Sequence, residues 1–341
     1  MLVSITGGTG YVGSHTVDAV LRAGHRVRLL VRDESTVERA LGPLGVDVGA
    51  VEVVRGDVLD RASVADLVRG ADAVVHAAAV FSFDSRTHRG MARTAVEGTE
   101  LVLDAARRAG VGRTVHVSTF GALLPSRGRA LGVDSPVGRP RETYLAAKAA
   151  AESVARRHQA TGAPVTISYP PALLGPHDPK LGDQVTRVRN ALRGLMPIWP
   201  TGGLPVGDVR DTAALHARLV GGGLAGNRHF GPGEYLSMRR FAGVLREVTG
   251  RALPAVHLPA RAMLPLGALV GVVQRVWPWH IPAEYGAIYT CAHAAWVGED
   301  VAGGRAGRPV GETFADTVRW LHREGLLSDR AAGIAAGLRV V

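Results

Sequence analysis

The 341-residue chain holds a single cysteine, Cys291. That excludes an intramolecular disulfide and a thiolate-built metal site, because structural zinc takes about four ligands, mostly thiolate or imidazole. No metal is expected. Lysine is nearly absent: of forty basic residues only Lys148 and Lys180 are lysines, so in this arginine-rich background a lysine is informative. Aromatic residues make up only 5%, while apolar content is 46% and charged content 21%, a globular composition. Long apolar runs are missing as well. The longest uncharged one, Ala262–Val273, contains Pro265 and falls well short of the roughly 20 residues that span a bilayer. It is expected to line or cap a substrate site rather than enter a membrane. Met1 leads straight into Leu2-Val3-Ser4-Ile5 with no basic segment, so no signal peptide is expected and the chain reads as soluble and cytoplasmic. A net charge of +10 raises nucleic acid as a partner. The arginines are scattered, however, without a basic block or interleaved aromatics, and nucleic acid is not expected.

What is present is an alternation. Runs rich in Val, Ile and Leu lie at Leu2–Thr6, Arg26–Val31, Val51–Arg55, Ala73–Ala77, Arg113–Ser118 and Pro164–Tyr169. Helical patterns separate them at Val12–Ala23, Arg61–Arg69, Thr94–Ala109 and Glu142–His158. Continuous apolar strands between amphipathic helices indicate a parallel sheet covered on both faces. Right-handed crossovers make it a doubly wound α/β (Rossmann) sheet. Near Pro170 the composition shifts to clustered prolines and most of the tryptophans. We therefore divide the chain into residues 1–170, a dinucleotide-binding domain, and 171–341, a smaller, mostly helical substrate-binding region. The chain is given room to return to the sheet near 205–230. Helices are expected at Thr212–Val220, Ser237–Thr249, Ala262–Val276 and Glu312–Glu324.

The first strand runs into Thr6-Gly7-Gly8-Thr9-Gly10-Tyr11-Val12-Gly13. Glycines at 7, 10 and 13 suit a tight turn, close approach of a pyrophosphate, and helix–strand packing, with a helix N-terminus facing the phosphates. In so glycine-rich a chain the pattern alone arises by chance about 0.7 times, but only about 0.03 times within the first dozen positions. Place, not pattern, carries the reading. The second strand ends Leu30-Val31-Arg32-Asp33. An acid at Val31 would bind the ribose hydroxyl of NAD; instead Arg32 follows, and a guanidinium fork suits a 2′-phosphate. NADP is favoured, with Asp33 the counterargument, since it can pair with Arg32 or take the hydroxyls itself. Asp57 follows the third strand and is either an adenine ligand or a turn residue.

Tyr144 and Lys148 are four apart in a helical pattern, hence on one face. An ammonium about 4 Å from a phenol, at an effective dielectric of 20, is worth about 4 kcal/mol, or roughly three pKa units. That would make Tyr144 a working proton donor near neutrality. Glu152 and Arg156 continue the row, and Glu152 is an alternative partner for Lys148. The fifth strand ends Ser118-Thr119-Phe120-Gly121, and either hydroxyl could hold a substrate oxygen there.

With these residues in place the chain resembles the extended short-chain dehydrogenase/reductases, in their dihydroflavonol-reductase and 3β-hydroxysteroid-dehydrogenase-like branch. The likeness rests on Thr6–Gly13, Gly56-Asp57-Val58, His76-Ala77-Ala78-Ala79, Val96-Glu97-Gly98-Thr99, Val117-Ser118-Thr119, Tyr144 with Lys148, Pro170 through Pro176, and Asp208-Val209-Arg210-Asp211. It implies a catalytic Thr119, Tyr144 and Lys148. It also implies a dinucleotide lined by Gly7, Thr9, Gly10, Tyr11, Val12, Arg32, Asp57, Val58, Ala77, Ala79, Tyr144, Lys148 and Pro171. Ala95 stands where such proteins usually carry asparagine, which removes the amide on which a water relay would be built.

Phe81, Phe83, Phe120 and Trp199, with Trp277, Trp279 and Tyr285, suggest a largely apolar small-molecule substrate. The expected activity is hydride transfer between NADP(H) and a carbonyl or secondary alcohol. A nucleotide-sugar epimerase or dehydratase is the alternative; against it, Val31 replaces an acid and Phe120-Gly121 follow the catalytic threonine. A non-catalytic NADP-sensing protein is the third reading. A homodimer is left open.

Overall fold

A computed structural model describes residues 1–79, 90–273, 285–294 and 307–337. The β-branched runs become β1 (Leu2–Thr6), β2 (Arg26–Val31), β3 (Val51–Arg55), β4 (Ala73–His76), β5 (Arg113–Val117) and β6 (Val165–Tyr169). The helices between them are α1 (Tyr11–Arg22), α2 (Ser35–Leu41), α3 (Arg61–Val68), α4 (Met91–Arg108) and α5 (Thr143–Ala160). The second half contains β7 (Ala172–Leu174), α6 (Asp183–Leu192), β8 (Ile198–Pro200), β9 (Gly203–Asp208), α7 (Val209–Val220) and β10 (Arg228–Phe230). It continues with β11 (Glu234–Ser237), α8 (Met238–Thr249), β12 (Val256–Leu258), α9 (Ala260–Val273), α10 (Tyr285–His293) and α11 (Val310–Arg323). It is thus mostly helical, with short strands that its glycine- and proline-rich sequence did not announce.

Seven strands form one parallel sheet in the order β10-β6-β5-β4-β1-β2-β3. Side chains alternate across it. Val3, Ile5, Val27 and Leu29 face Val17 and Val20 of α1 and Leu215 and Leu219 of α7. On the other face, Leu30 and Val74 meet Val64 and Leu67 of α3 and Val102 of α4. The chain leaves the sheet after β6 and comes back through α7 and β10. The strand order reverses between β1 and β4, and at such a switch point ligands bind beyond the strand C-termini.

The second half packs around Trp199, Phe241 and Phe314, with ring centroids 5.8 Å apart for the first pair and 4.7 Å for the second. Helix α9 carries Pro265 within it and exposes Leu266 and Leu269. Among the described residues no helix is long and apolar enough to cross a membrane.

Candidate active site

The glycine loop lies at the switch point. Gly7 has a positive φ of 74°, and a Cβ there would come within 2.7 Å of the Ala77 carbonyl carbon at the end of β4. A Cβ on Gly13 would fall 2.0 Å from the Gly7 oxygen. These two glycines let loop, helix and strand touch. Gly10 differs: its nearest neighbour is that same oxygen at 3.3 Å, so its outer side is open. As the N-cap of α1 it offers no side-chain cap, and the first turn holds no acid. The orphan N–H groups of that helix end are therefore uncommitted and suited to an anion.

Around the loop the other candidates divide. Thr9 borders a cavity of about 300 Å³ that Arg32, Asp33, Thr36, Arg39, Pro179 and Lys180 also line. The Asp33 carboxylate accepts the Ser35 N–H at 3.0 Å, and hydrogen bonding from the Ser35 side chain and then its N–H holds the Asp33 pKa below the usual carboxylate value. It forms no ion pair with Arg32 among the described residues. Asp57 caps its own turn through the Leu59 N–H at 2.9 Å. Val58 packs over Gly98, whose Cβ would lie 3.2 Å from it. Val12 and Ala77 are half-buried and Ala79 is exposed. The Tyr11 ring packs edge-on against His15 at 5.5 Å, and its hydroxyl is buried without a hydrogen-bond partner among the described residues. Pro171 is buried against the backbone at Gly207 and Gly231.

Helix α5 presents Tyr144 and Lys148 in successive turns. The helix starts at Glu142, whose buried carboxylate accepts the Tyr144 N–H at 3.0 Å and the Leu145 N–H at 2.7 Å. Burial still pushes the pKa of this carboxyl up. The Lys148 ammonium is buried and donates to the Val117 carbonyl at 3.0 Å. Burial lowers its pKa to about 8, with Glu152 acting in the opposite direction. Glu152 is itself engaged by Arg156 at 2.8 Å and by the Tyr169 hydroxyl at 2.6 Å. Two residues beyond Val117, the Thr119 hydroxyl accepts the Gly121 N–H at 3.3 Å and keeps its own proton to donate. Ser118 is buried, its hydroxyl without a partner among the described residues.

Tyr144 corrects one expectation. Instead of being drawn down by the lysine, its phenol is held well above its ordinary pKa, first by burial and then by the Glu142 and Asp183 charges. The isolated-pair arithmetic took the ammonium's attraction and omitted desolvation, which disfavours the phenolate. Glu142 and Asp183 are the residues that sequence reasoning missed. An acid at a helix N-cap two residues before Tyr144 was a signal for the first; Asp183 arrives with α6, which no pattern announced. Phe120 and Trp199 are buried in the hydrophobic core. Phe81, Phe83, Trp277 and Trp279 lie outside the described residues.

A glycine loop at a switch point of a parallel sheet, with tyrosine and lysine one turn apart on the helix after β5, defines a dinucleotide-binding α/β fold of the short-chain dehydrogenase/reductase type. The family model for the NAD-dependent epimerase/dehydratase family matches residues 3–226, and the chain belongs to that family. It is 29% identical to sterol demethylase protein B of Methylococcus capsulatus, over 96% of this chain and 100% of that one. It is also 29% identical to a 4-hydroxy-2-methyl-3-oxo-4-farnesyl-3,4-dihydroquinoline-1-oxide ketoreductase of Stigmatella aurantiaca, over 98% and 97%. Among solved structures, the dTDP-glucose 4,6-dehydratase DesIV of Streptomyces venezuelae, with NAD and TYD bound, superimposes with a TM-score of 0.72. The two are 26% identical, over 97% of this chain and all of that one.

The buried ammonium has a consequence for stability. Its folded pKa lies below the unfolded 10.5, so the unfolded chain binds more protons between about pH 8 and 10.5. The burial cost is therefore fully present below pH 8 and is relieved as pH rises. We expect Lys148→Met to gain about 1–2 kcal/mol at pH 7, after the lost Val117 hydrogen bond is offset, and to gain little at pH 10.5. Chemical denaturation at both pH values checks this. A variant less stable than wild type at pH 7 contradicts it.

Proposed function

We propose that the protein is an NADP(H)-dependent oxidoreductase that interconverts a carbonyl and a secondary alcohol on a largely apolar small molecule. The observation that carries the cofactor choice is the cavity beside Thr9, where Arg32 is exposed and the Asp33 carboxylate is turned to the Ser35 N–H. The open face of Gly10 and the uncapped end of α1 fit the pyrophosphate, and the Tyr11 and Val12 backbone belongs to that helix end. Asp57, Val58, Ala77, Ala79 and Pro171 complete our proposed cofactor lining. The relatives that act on a sterol and on a farnesylated ketone support an apolar substrate, received by residues 171–341.

A bound NADP(H) supplies the hydride. The protein's part is position and proton. Thr119 donates a hydrogen bond from its free hydroxyl to the substrate oxygen and keeps its proton. Tyr144, kept protonated by burial and its acidic neighbours, is the proton donor in reduction. The Lys148 ammonium, on the same helix face, offsets the charge left when that proton departs.

Two substitutions test the reading. Tyr144→Phe keeps the ring and should lower turnover by about 10² or more with NADPH affinity little changed; near-wild-type turnover rules out the tyrosine. Arg32→Ala should weaken NADPH binding by about 1.5–3 kcal/mol and leave NADH binding unaffected. Equal affinities of the wild type for the two nucleotides would remove the case for NADP.

A further inference from the structure

Lys180, the second of the two lysines, has no part in the chemistry above, yet it reaches the cavity beside Thr9. It comes from the second half of the chain, on the segment 176–182 between β7 and α6. From the sheet side the same cavity receives Arg32, at the end of β2, and Arg39, on α2. Three cations thus converge on one opening against a single carboxylate, Asp33. The other surface arginines here are often paired, as Arg22 is with Asp18 and Arg93 with Glu97. Arg32, Arg39 and Lys180 have no ion pair among the described residues. Asp33 and Asp178 are the acids whose charges act on Arg39 and Lys180, so positive charge is in excess around the opening, and an anion in its midst would relieve the repulsion.

The segment that holds Lys180 is built rather than slack. Asp178 is buried, and its two oxygens accept the Lys180 N–H at 3.1 Å and the Gly182 N–H at 2.8 Å. His177 and Leu181 take left-handed φ values of 58° and 49°, conformations that cost non-glycine residues energy and persist when the surroundings impose them. The Pro176 carbonyl faces Nε2 of His15 on α1 at 3.1 Å. That ring is neutral, burial having lowered its pKa to about 4, so Nε2 carries the proton and donates. The His177 ring lies 6.2 Å from Trp320 on α11. The strap is therefore pinned to the first crossover helix and to α11, with Lys180 lining the cavity.

We infer that Lys180 is a specificity-determining residue for the cofactor: with Arg32 and Arg39 it clasps the phosphomonoester on the adenosine ribose, so that the 2′-phosphate ties the strap 176–182 to the sheet. This rests on the NADP reading and extends it. Selectivity then resides partly in the half of the chain that follows the sheet's sixth strand. A 2′-phosphorylated nucleotide immobilises the strap, and an unphosphorylated one does not.

The test is nucleotide binding by calorimetry on the full chain, with NADPH, NADH, 2′,5′-ADP and 5′-AMP. Lys180→Met keeps the stem and removes the charge. It should weaken NADPH and 2′,5′-ADP about tenfold and leave NADH and 5′-AMP unchanged. In the wild type, hydrogen exchange at the Lys180 and Gly182 amides should slow with NADPH and not with NADH. If the wild type prefers NADPH and Lys180→Met keeps that preference, the clasp is wrong while the cofactor reading stands. Equal loss for NADPH and NADH makes the lysine a general structural element and also overturns the clasp. A wild type without preference overturns both.

Discussion

The buried ammonium of Lys148 on the Val117 carbonyl is the contact on which the site depends. It joins the second turn of α5 to the last residue of β5. Tyr144 is then set one turn nearer the helix start, and Thr119 two residues beyond the strand. Moving the helix along its axis would break one charged hydrogen bond in a place where water cannot replace it, a loss of about 1.5–3 kcal/mol. The cap at Glu142 fixes the start of the same helix, with both carboxylate oxygens on backbone N–H groups. Lysine is suited to this post because its compact ammonium places a point charge on a single carbonyl, where a planar guanidinium fork is wider.

Polar groups elsewhere under the sheet are arranged without adding net charge. The Thr99 hydroxyl donates to the Ala95 carbonyl at 2.6 Å, so Thr99 must accept from Nε2 of His76 at 3.2 Å, and Nδ1 of His76 accepts from Thr6 at 2.8 Å. On the opposite face Thr16 donates to the Val12 carbonyl at 2.8 Å, so Nδ1 of His216 donates to Thr16 and Nε2 accepts from Ser168 at 3.0 Å. Burial lowers the pKa of these rings to about 3 and about 4. Both are neutral near pH 7, in opposite tautomers, and link strands to helices without competing with the field at Lys148. Ala95 takes part through its backbone alone, which is why the missing amide side chain leaves this network intact.

The sheet was legible because its strands are rich in Val, Ile and Leu, with the central ones, Leu2–Thr6 and Ala73–His76, buried along their whole length. The strand Gly203–Asp208, with two glycines and a proline, carries no such signal; its pairing with Ala172–Leu174 and Glu234–Ser237 is decided by tertiary contact. Gly7, Gly13, Tyr144 and Lys148 were readable because their spacing is local. The electrostatics of Tyr144 were not, since they depend on burial and on Asp183, far along the chain. Arg39 and Lys180 fail the same way: each is an ordinary surface cation until the fold places both beside Arg32.

The central claim is that a charged Lys148 supports proton donation by a phenol that burial keeps protonated. The most direct measurement is the pH dependence of kcat/KM for carbonyl reduction with saturating NADPH. With the ammonium titrating at about 8, kcat/KM should be level below that value and fall about tenfold per pH unit above it. In Lys148→Arg, whose charge does not titrate in that range, any residual activity should lack the inflection. A wild-type profile flat to pH 10, or an inflection that survives in Lys148→Arg, would contradict the account.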